Sequence, residues 1–165
     1  MRANLEGQTC WIAVDWGSTH LRVWAVNSSG QVIAQDFSDQ GLNNIQENGF
    51  ERALLDLVEP WLNTGRVTQA VACGVVGARQ GWCESAYQET PCYPLQAAQF
   101  TKVNCEDKRL AVTIVAGVMQ AHPVDIMRGE ETQIAGFLSD QSDFNGVVCL
   151  PGTHAKWTLI ESHQL

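Results

Sequence analysis

The stretch Asp15-Trp16-Gly17-Ser18-Thr19-His20-Leu21-Arg22 constrains this chain most. Its polar centre lies between two apolar runs, Cys10-Trp11-Ile12-Ala13-Val14 and Leu21-Arg22-Val23-Trp24-Ala25-Val26. Both runs have the length and the β-branched or aromatic content of strands, so residues 15–20 read as the tight connection of a hairpin. Gly17 lets the backbone approach a ligand closely. Ser18 and Thr19 offer hydroxyls and N–H groups suited to a phosphate. Asp15, at the end of a buried strand, is placed to hold Mg²⁺, usually through water, because that ion prefers oxygen ligands and dehydrates reluctantly. Arg22 reads as pointing away along the second strand.

The rest of the composition narrows the field. A length of 165 residues fits one domain, and 45% hydrophobic against 17% charged residues calls for a packed core. Ten basic against 18 acidic residues, a net charge of −8, argue against a nucleic-acid partner, which needs a basic patch. No apolar run is long enough to span a bilayer. Residues 1–8 carry no signal-peptide core and read as a loose leader. The six cysteines form no CxxC pair and several sit inside apolar runs, as expected of a reduced, cytoplasmic protein.

Along the chain, residues 32–37 read as a third strand. Phe50, Leu54, Leu57, Val58 and Trp61 recur at helical spacing, with Asn48 as N-cap and Pro60 disturbing the last turn. Residues 67–73 form a short strand, followed by the glycine-rich residues 74–82, whose glycines lack the GxGxxG spacing of a dinucleotide site. A loop at the carboxyl end of a parallel strand is where open α/β sheets bind ligands, which makes Arg79, Gln80 and Trp82 candidates to touch an acidic, hydroxylated substrate. Residues 84–94 read as irregular, 95–100 as a short helix and 111–117 as a buried strand. Ile134, Phe137 and Leu138 share a helical face, which puts Glu130 and Glu131 near a helix N-terminus. Residues 147–160 form a second strand–loop–strand whose Gly152-Thr153-His154 echoes Gly17-Ser18-Thr19-His20. Trp16, Trp24 and Trp157 read as packing residues, and His20 as a stabiliser of its hairpin.

Four segments carry a resemblance: residues 14–22, Gly77-Ala78-Arg79-Gln80-Gly81-Trp82, Asp125-Ile126-Met127-Arg128-Gly129-Glu130-Glu131-Thr132-Gln133, and Leu150-Pro151-Gly152-Thr153-His154-Ala155-Lys156-Trp157. Together they resemble the 2-dehydro-3-deoxygalactonokinase family, sugar-acid kinases of the actin-like ATPase superfamily. The resemblance implies an RNase-H-like α/β domain with a mixed sheet opening on an antiparallel three-strand meander. Residues 9–140 would be that domain, and residues 141–165 the opening hairpin of an incomplete second one. The implied reaction is phosphorylation of 2-dehydro-3-deoxy-D-galactonate to its 6-phosphate, in galactonate breakdown, with ATP and Mg²⁺.

The resemblance also implies roles. Asp15 with Gly17, Ser18 and Thr19 would face the phosphates and the metal, and Gly152, Thr153 and His154 would form a second phosphate clamp. Glu131, preferred over Glu130, would take the substrate hydroxyl's proton. Arg79 and Arg128 would pair with the substrate carboxylate, Arg128 having a plain ion pair with Asp125 as its alternative. The expected partners are the sugar acid and a nucleotide, with no nucleic acid and no membrane; a homo-oligomer stays open. Family members are about twice this length, and a one-walled cleft cannot exclude water, so turnover should be impaired. Two further readings stand beside this one: a non-catalytic sugar-acid-binding module, and an exopolyphosphatase-like phosphohydrolase.

Overall fold

Six strands make the central sheet of the computed structural model, which describes residues 4–46, 48–152 and 154–165. They are β1 (Trp11–Trp16), β2 (Leu21–Val26), β3 (Val32–Ser38), β4 (Thr68–Gly74), β6 (Thr101–Lys102) and β7 (Leu110–Ile114), in the order β3-β2-β1-β4-β7-β6. β1 pairs antiparallel with β2 and parallel with β4; β4 and β7 are parallel, so only β2 and β6 run against the other four.

Alternation along the strands sorts the side chains onto two faces. Ile12, Val14 and Trp16 of β1, Leu21 and Val23 of β2, and Ala70 and Ala72 of β4 turn to one buried face. Helix α1 (Phe50–Val58) lays Phe50, Ala53, Leu54, Leu57 and Val58 on that face, the helical stripe expected from the spacing. A 3-10 turn, Glu59–Trp61, follows and holds Pro60, where the ring cannot continue the α-helix. Asp15, Arg22 and Cys73 lie in register on the opposite face.

A three-stranded sheet, β5 (Tyr87–Glu89), β8 (Gly117–Gln120) and β9 (Asp125–Met127), stands beside the first in the order β5-β8-β9. Helix α2 (Glu130–Asp140) then leads to the two-stranded hairpin β10 (Gly146–Leu150) and β11 (Lys156–Ile160). Ile134 and Leu138 of α2 meet Ile160 of β11, with Val148 and Leu150 packed alongside, in a second small core. Lys156 of β11 ion-pairs with Asp125 of β9 and ties the hairpin to the three-stranded sheet.

Several expectations need correction. The leader is not loose over residues 4–8: Leu5 is buried in the main core and donates its N–H to the Pro60 carbonyl at 3.0 Å, and Gly7 donates to Asn63 Oδ1 at 2.7 Å. A single leucine among polar neighbours has no period to reveal it. The N-cap of α1 is Gly49 and not Asn48, which sits at φ 62° before the helix. Residues 95–100 hold only a 3-10 turn, Ala97–Gln99. Residues 84–94 contain β5, and the strand expected over 111–117 stops at Ile114, with Gly117 opening β8. Phe137 is 38% exposed at the edge of its helical face, against Phe144 at 4.9 Å. Trp16 is buried as expected, but Trp157 is 75% exposed on the outer face of the hairpin.

Candidate functional site

The connection between β1 and β2 is shaped by its own backbone. Gly17 donates its N–H to the His20 carbonyl at 2.9 Å, closing the turn. The carbonyls of Gly17, Ser18 and Thr19 accept the N–H groups of Leu42, Asn43 and Gly41 at 3.0, 2.9 and 3.1 Å. With their carbonyls turned back onto residues 41–43, Ser18 and Thr19 keep N–H groups that meet no acceptor among the described residues. Both residues are exposed. Oriented, unpaired N–H groups in a tight turn make an anion-binding concavity. His20 lies 3.4 Å from Asp39, a contact that braces the turn as expected.

Asp15 stands at the mouth of this turn. Arg22 faces it directly across the antiparallel pair and donates to Asp15 Oδ2 at 2.9 Å, so it does not point away; residues opposite one another in such a pair share a face. On the other side Asp15 is in register with Cys73 of β4. Burial, then the charges of Asp15 and Glu131, push the Cys73 thiol up to about 12, so it stays a neutral S–H. Asp15 meets Cys73 through the β1–β4 register, and Glu131 comes to the end of β4 because Gly129 packs on Gly74. Cys73 was not singled out in the sequence, where it reads as one more small residue in an apolar run.

Glu131 reaches this position because the chain turns sharply at Gly129. That residue has φ 107°, a conformation that favours glycine, and an added Cβ would meet the Gly74 Cα at 3.4 Å. Both Glu131 carboxylate oxygens accept the Gly129 N–H, at 2.9 and 2.8 Å, and Oε1 also accepts the Thr132 hydroxyl at 3.2 Å. Glu131 is 1% exposed. Burial pushes its carboxyl above the usual range against the pull of these bonds. Glu130, half-buried, accepts the Arg128 N–H at 3.0 Å.

A pH prediction follows from Glu131. Its raised folded-state pKa makes the protonated form the stabilising one: the contribution is complete below the unfolded value of about 4.3 and lost as pH rises through the raised value. The neutral shape mimic Glu131→Gln should therefore raise the thermal midpoint at pH 7, and its advantage over the parent should shrink on acidification toward pH 4. A Gln variant less stable than the parent at pH 7 would show that the charged carboxylate is held favourably.

The remaining expected residues disperse. Arg79 and Gln80 are exposed on the loop after β4. Gln80 and Trp82 line a groove of about 1030 Å³ with Asn43, Gln46, Asn104 and Glu106. Trp82 also stacks on Phe50 at 6.3 Å and meets Trp16 edge-on at 6.1 Å, so part of its ring belongs to the core. A second cavity, about 360 Å³, lies between β8, β9 and β11 and is lined by Asp125, Lys156 and Thr158. Asp15, Glu131, Gly152 and His154 line neither of these two cavities. Gly152 and His154 are exposed in the hairpin loop, and Thr153 lies outside the described residues. Arg128 does not pair with Asp125; its guanidinium turns onto Ser85 and Tyr87.

Comparison with known proteins decides the lineage. The family model described as 2-keto-3-deoxy-galactonokinase matches residues 15–165. The chain belongs to this family. It is 36% identical over 149 residues to a "Probable 2-dehydro-3-deoxygalactonokinase" of Rhizobium meliloti, covering 88% of this chain and 47% of that protein. It is 29% identical over 158 residues to the 2-dehydro-3-deoxygalactonokinase of Escherichia coli, covering 94% and 51%. Its fold matches a crystal structure from Sinorhizobium meliloti, of a protein assigned as a 2-dehydro-3-deoxygalactonokinase, with a TM-score of 0.80 at 31% identity, over 93% of this chain and 50% of that one. The chain thus spans about half the length of the family members it matches. Among the described residues, no helix is long and apolar enough to cross a membrane.

Proposed function

We propose that this chain is the RNase-H-like lobe of a cytoplasmic sugar-acid kinase, residues 9–140 with Leu5 packed onto the same core, followed by the opening hairpin of a second lobe, residues 141–165. The strand order β3-β2-β1-β4-β7, with β2 alone antiparallel within those five, supports the lobe assignment. The exposed outer face of the hairpin, Val147, Trp157 and Leu159, supports the division. The reaction is ATP-dependent phosphorylation of 2-dehydro-3-deoxy-D-galactonate to its 6-phosphate.

One observation carries this reading: in the turn at residues 17–20 the carbonyls are tied back, while the N–H groups of the exposed Ser18 and Thr19, close to Asp15 in the chain, meet no acceptor among the described residues. Phosphoryl transfer rests on positioning and charge neutralisation, and such a turn supplies both for a polyphosphate tail. Gly152, Thr153 and His154 form the opposing clamp once the second lobe is present. Arg79, whose guanidinium has no partner among the described residues, pairs with the sugar-acid carboxylate, and Gln80 and Trp82 contact its hydroxylated chain. Glu131, held above the usual carboxylate range, is suited to accept the hydroxyl proton, and Glu130 stands second.

The residues fit Mg²⁺ as an ion shared with nucleotide phosphates and water. Asp15 offers one carboxylate, and among the described residues no three acidic, His or Cys side chains gather as a cage. The ion would neutralise phosphate charge.

Tested by themselves, these 165 residues, about half the length of their relatives, should bind the sugar acid without sustained turnover. Calorimetry with the sugar acid and a coupled assay with ATP and Mg²⁺ test this. Phosphate release without an acceptor would favour a phosphohydrolase, and failure to bind the sugar acid would contradict the substrate assignment.

A further inference from the structure

Arg128 is the most heavily engaged side chain near the acidic pair. Its Nε donates to the Tyr87 hydroxyl at 3.0 Å, one Nη donates to the Ser85 hydroxyl and the other to the Ser85 carbonyl at 2.5 Å. The guanidinium carbon lies 4.0 Å from the Tyr87 ring centroid. Ser85 is buried and in turn donates to the Val115 carbonyl at 3.1 Å, so the clamp is anchored where β7 ends. Gly77 makes room for it: an added Cβ would stand 2.9 Å from Arg128 Nη1 and would also overlap the Ser85 hydroxyl. The next three residues are Gly129, seated on Gly74, and the acids Glu130 and Glu131.

We propose that Arg128 is a positioning residue: its fork, fixed by Ser85 and Tyr87 and accommodated by Gly77, sets the Arg128–Gly129 turn that packs on Gly74 and so delivers Glu131 to the end of β4. Planar guanidinium forks suit this task because several fixed donors define an orientation, where a lysine ammonium defines only a point. Three of the five N–H donors are already spent on protein oxygens, so of Arg79 and Arg128 it is the exposed Arg79 whose guanidinium has no partner among the described residues. The functional part of this inference rests on the kinase reading; the clamp itself does not.

The test uses the 165-residue chain and Arg128→Lys, with Tyr87→Phe as the milder variant should the first fail to fold. Amide hydrogen exchange is the first readout. The N–H groups of Arg128 and Gly129 are each held by a glutamate carboxylate, so loosening the clamp should speed their exchange about tenfold or more while β1, β2 and β4 keep their protection. The Glu131 carboxyl, followed by ¹³C NMR, should titrate lower as water enters. A merely structural arginine would lower protection across the sheet together with the turn. Unchanged exchange at both amides and an unchanged Glu131 titration in a folded variant would overturn the proposal. So would a tenfold loss of sugar-acid affinity in Arg128→Lys with the turn intact, since that marks a direct ligand. If the parent chain binds no sugar acid while the exchange result holds, the kinase reading fails and the clamp stands.

Discussion

Gly41→Ala should unfold this lobe more readily than any surface substitution, by about 3 kcal/mol or more, the upper part of the range for overpacking a buried site. Gly41 is buried against the turn that follows β1, and an added Cβ would sit 2.5 Å from both the Thr19 and the His20 amide nitrogens. Those atoms are backbone, so no rotamer change relieves the overlap. Either the turn or residues 41–43 must move, and the three hydrogen bonds that hold the Gly17, Ser18 and Thr19 carbonyls go with them. Urea unfolding measures the loss. A midpoint within the error of the parent would show that the two segments do not meet as described.

Trp16→Ala should cost about 3–5 kcal/mol, the range for truncating a large buried aromatic. Trp16 is fully buried, its ring centroid lies 5.5 Å from Phe50, and its indole N–H donates to the Gln40 carbonyl at 2.9 Å. The same residue thus fills the core and anchors the segment that backs the turn at residues 17–20. Trp16→Phe separates the two contributions: it keeps most of the ring volume and loses the hydrogen bond, worth about 1 kcal/mol net. Equal losses from Phe and Ala would show that the hydrogen bond dominates; a loss under 1 kcal/mol from Ala would contradict the packing.

What could be read from the sequence follows from which signals are local. The three opening strands, α1, the disturbance at Pro60 and the final hairpin all declare themselves through periodicity or turn chemistry within a dozen residues. The strands β5 and β9 are three residues each, too short for a period, and exist because β8 lies between them. The acidic residues of the site were legible as types at strand and helix ends. Their setting was not. Cys73 meets Asp15 only through the β1–β4 register, and the Asp15–Arg22 pair depends on which residues face each other across the hairpin. The backing of residues 17–19 by residues 41–43 joins segments separated by a whole strand. Arg128 looked like a ligand for an anion, and only the fold shows Ser85 and Tyr87 in its reach.

The central proposal is that the unpaired amides of Ser18 and Thr19, near Asp15, grip a polyphosphate. Titration of the isotopically labelled 165-residue chain with Mg·ATP tests it most directly, read at every backbone amide. The account predicts that Ser18 and Thr19 move first and furthest. Shifts confined to the groove beside Trp82 or to the hairpin, with Ser18 and Thr19 unmoved at saturation, would contradict it.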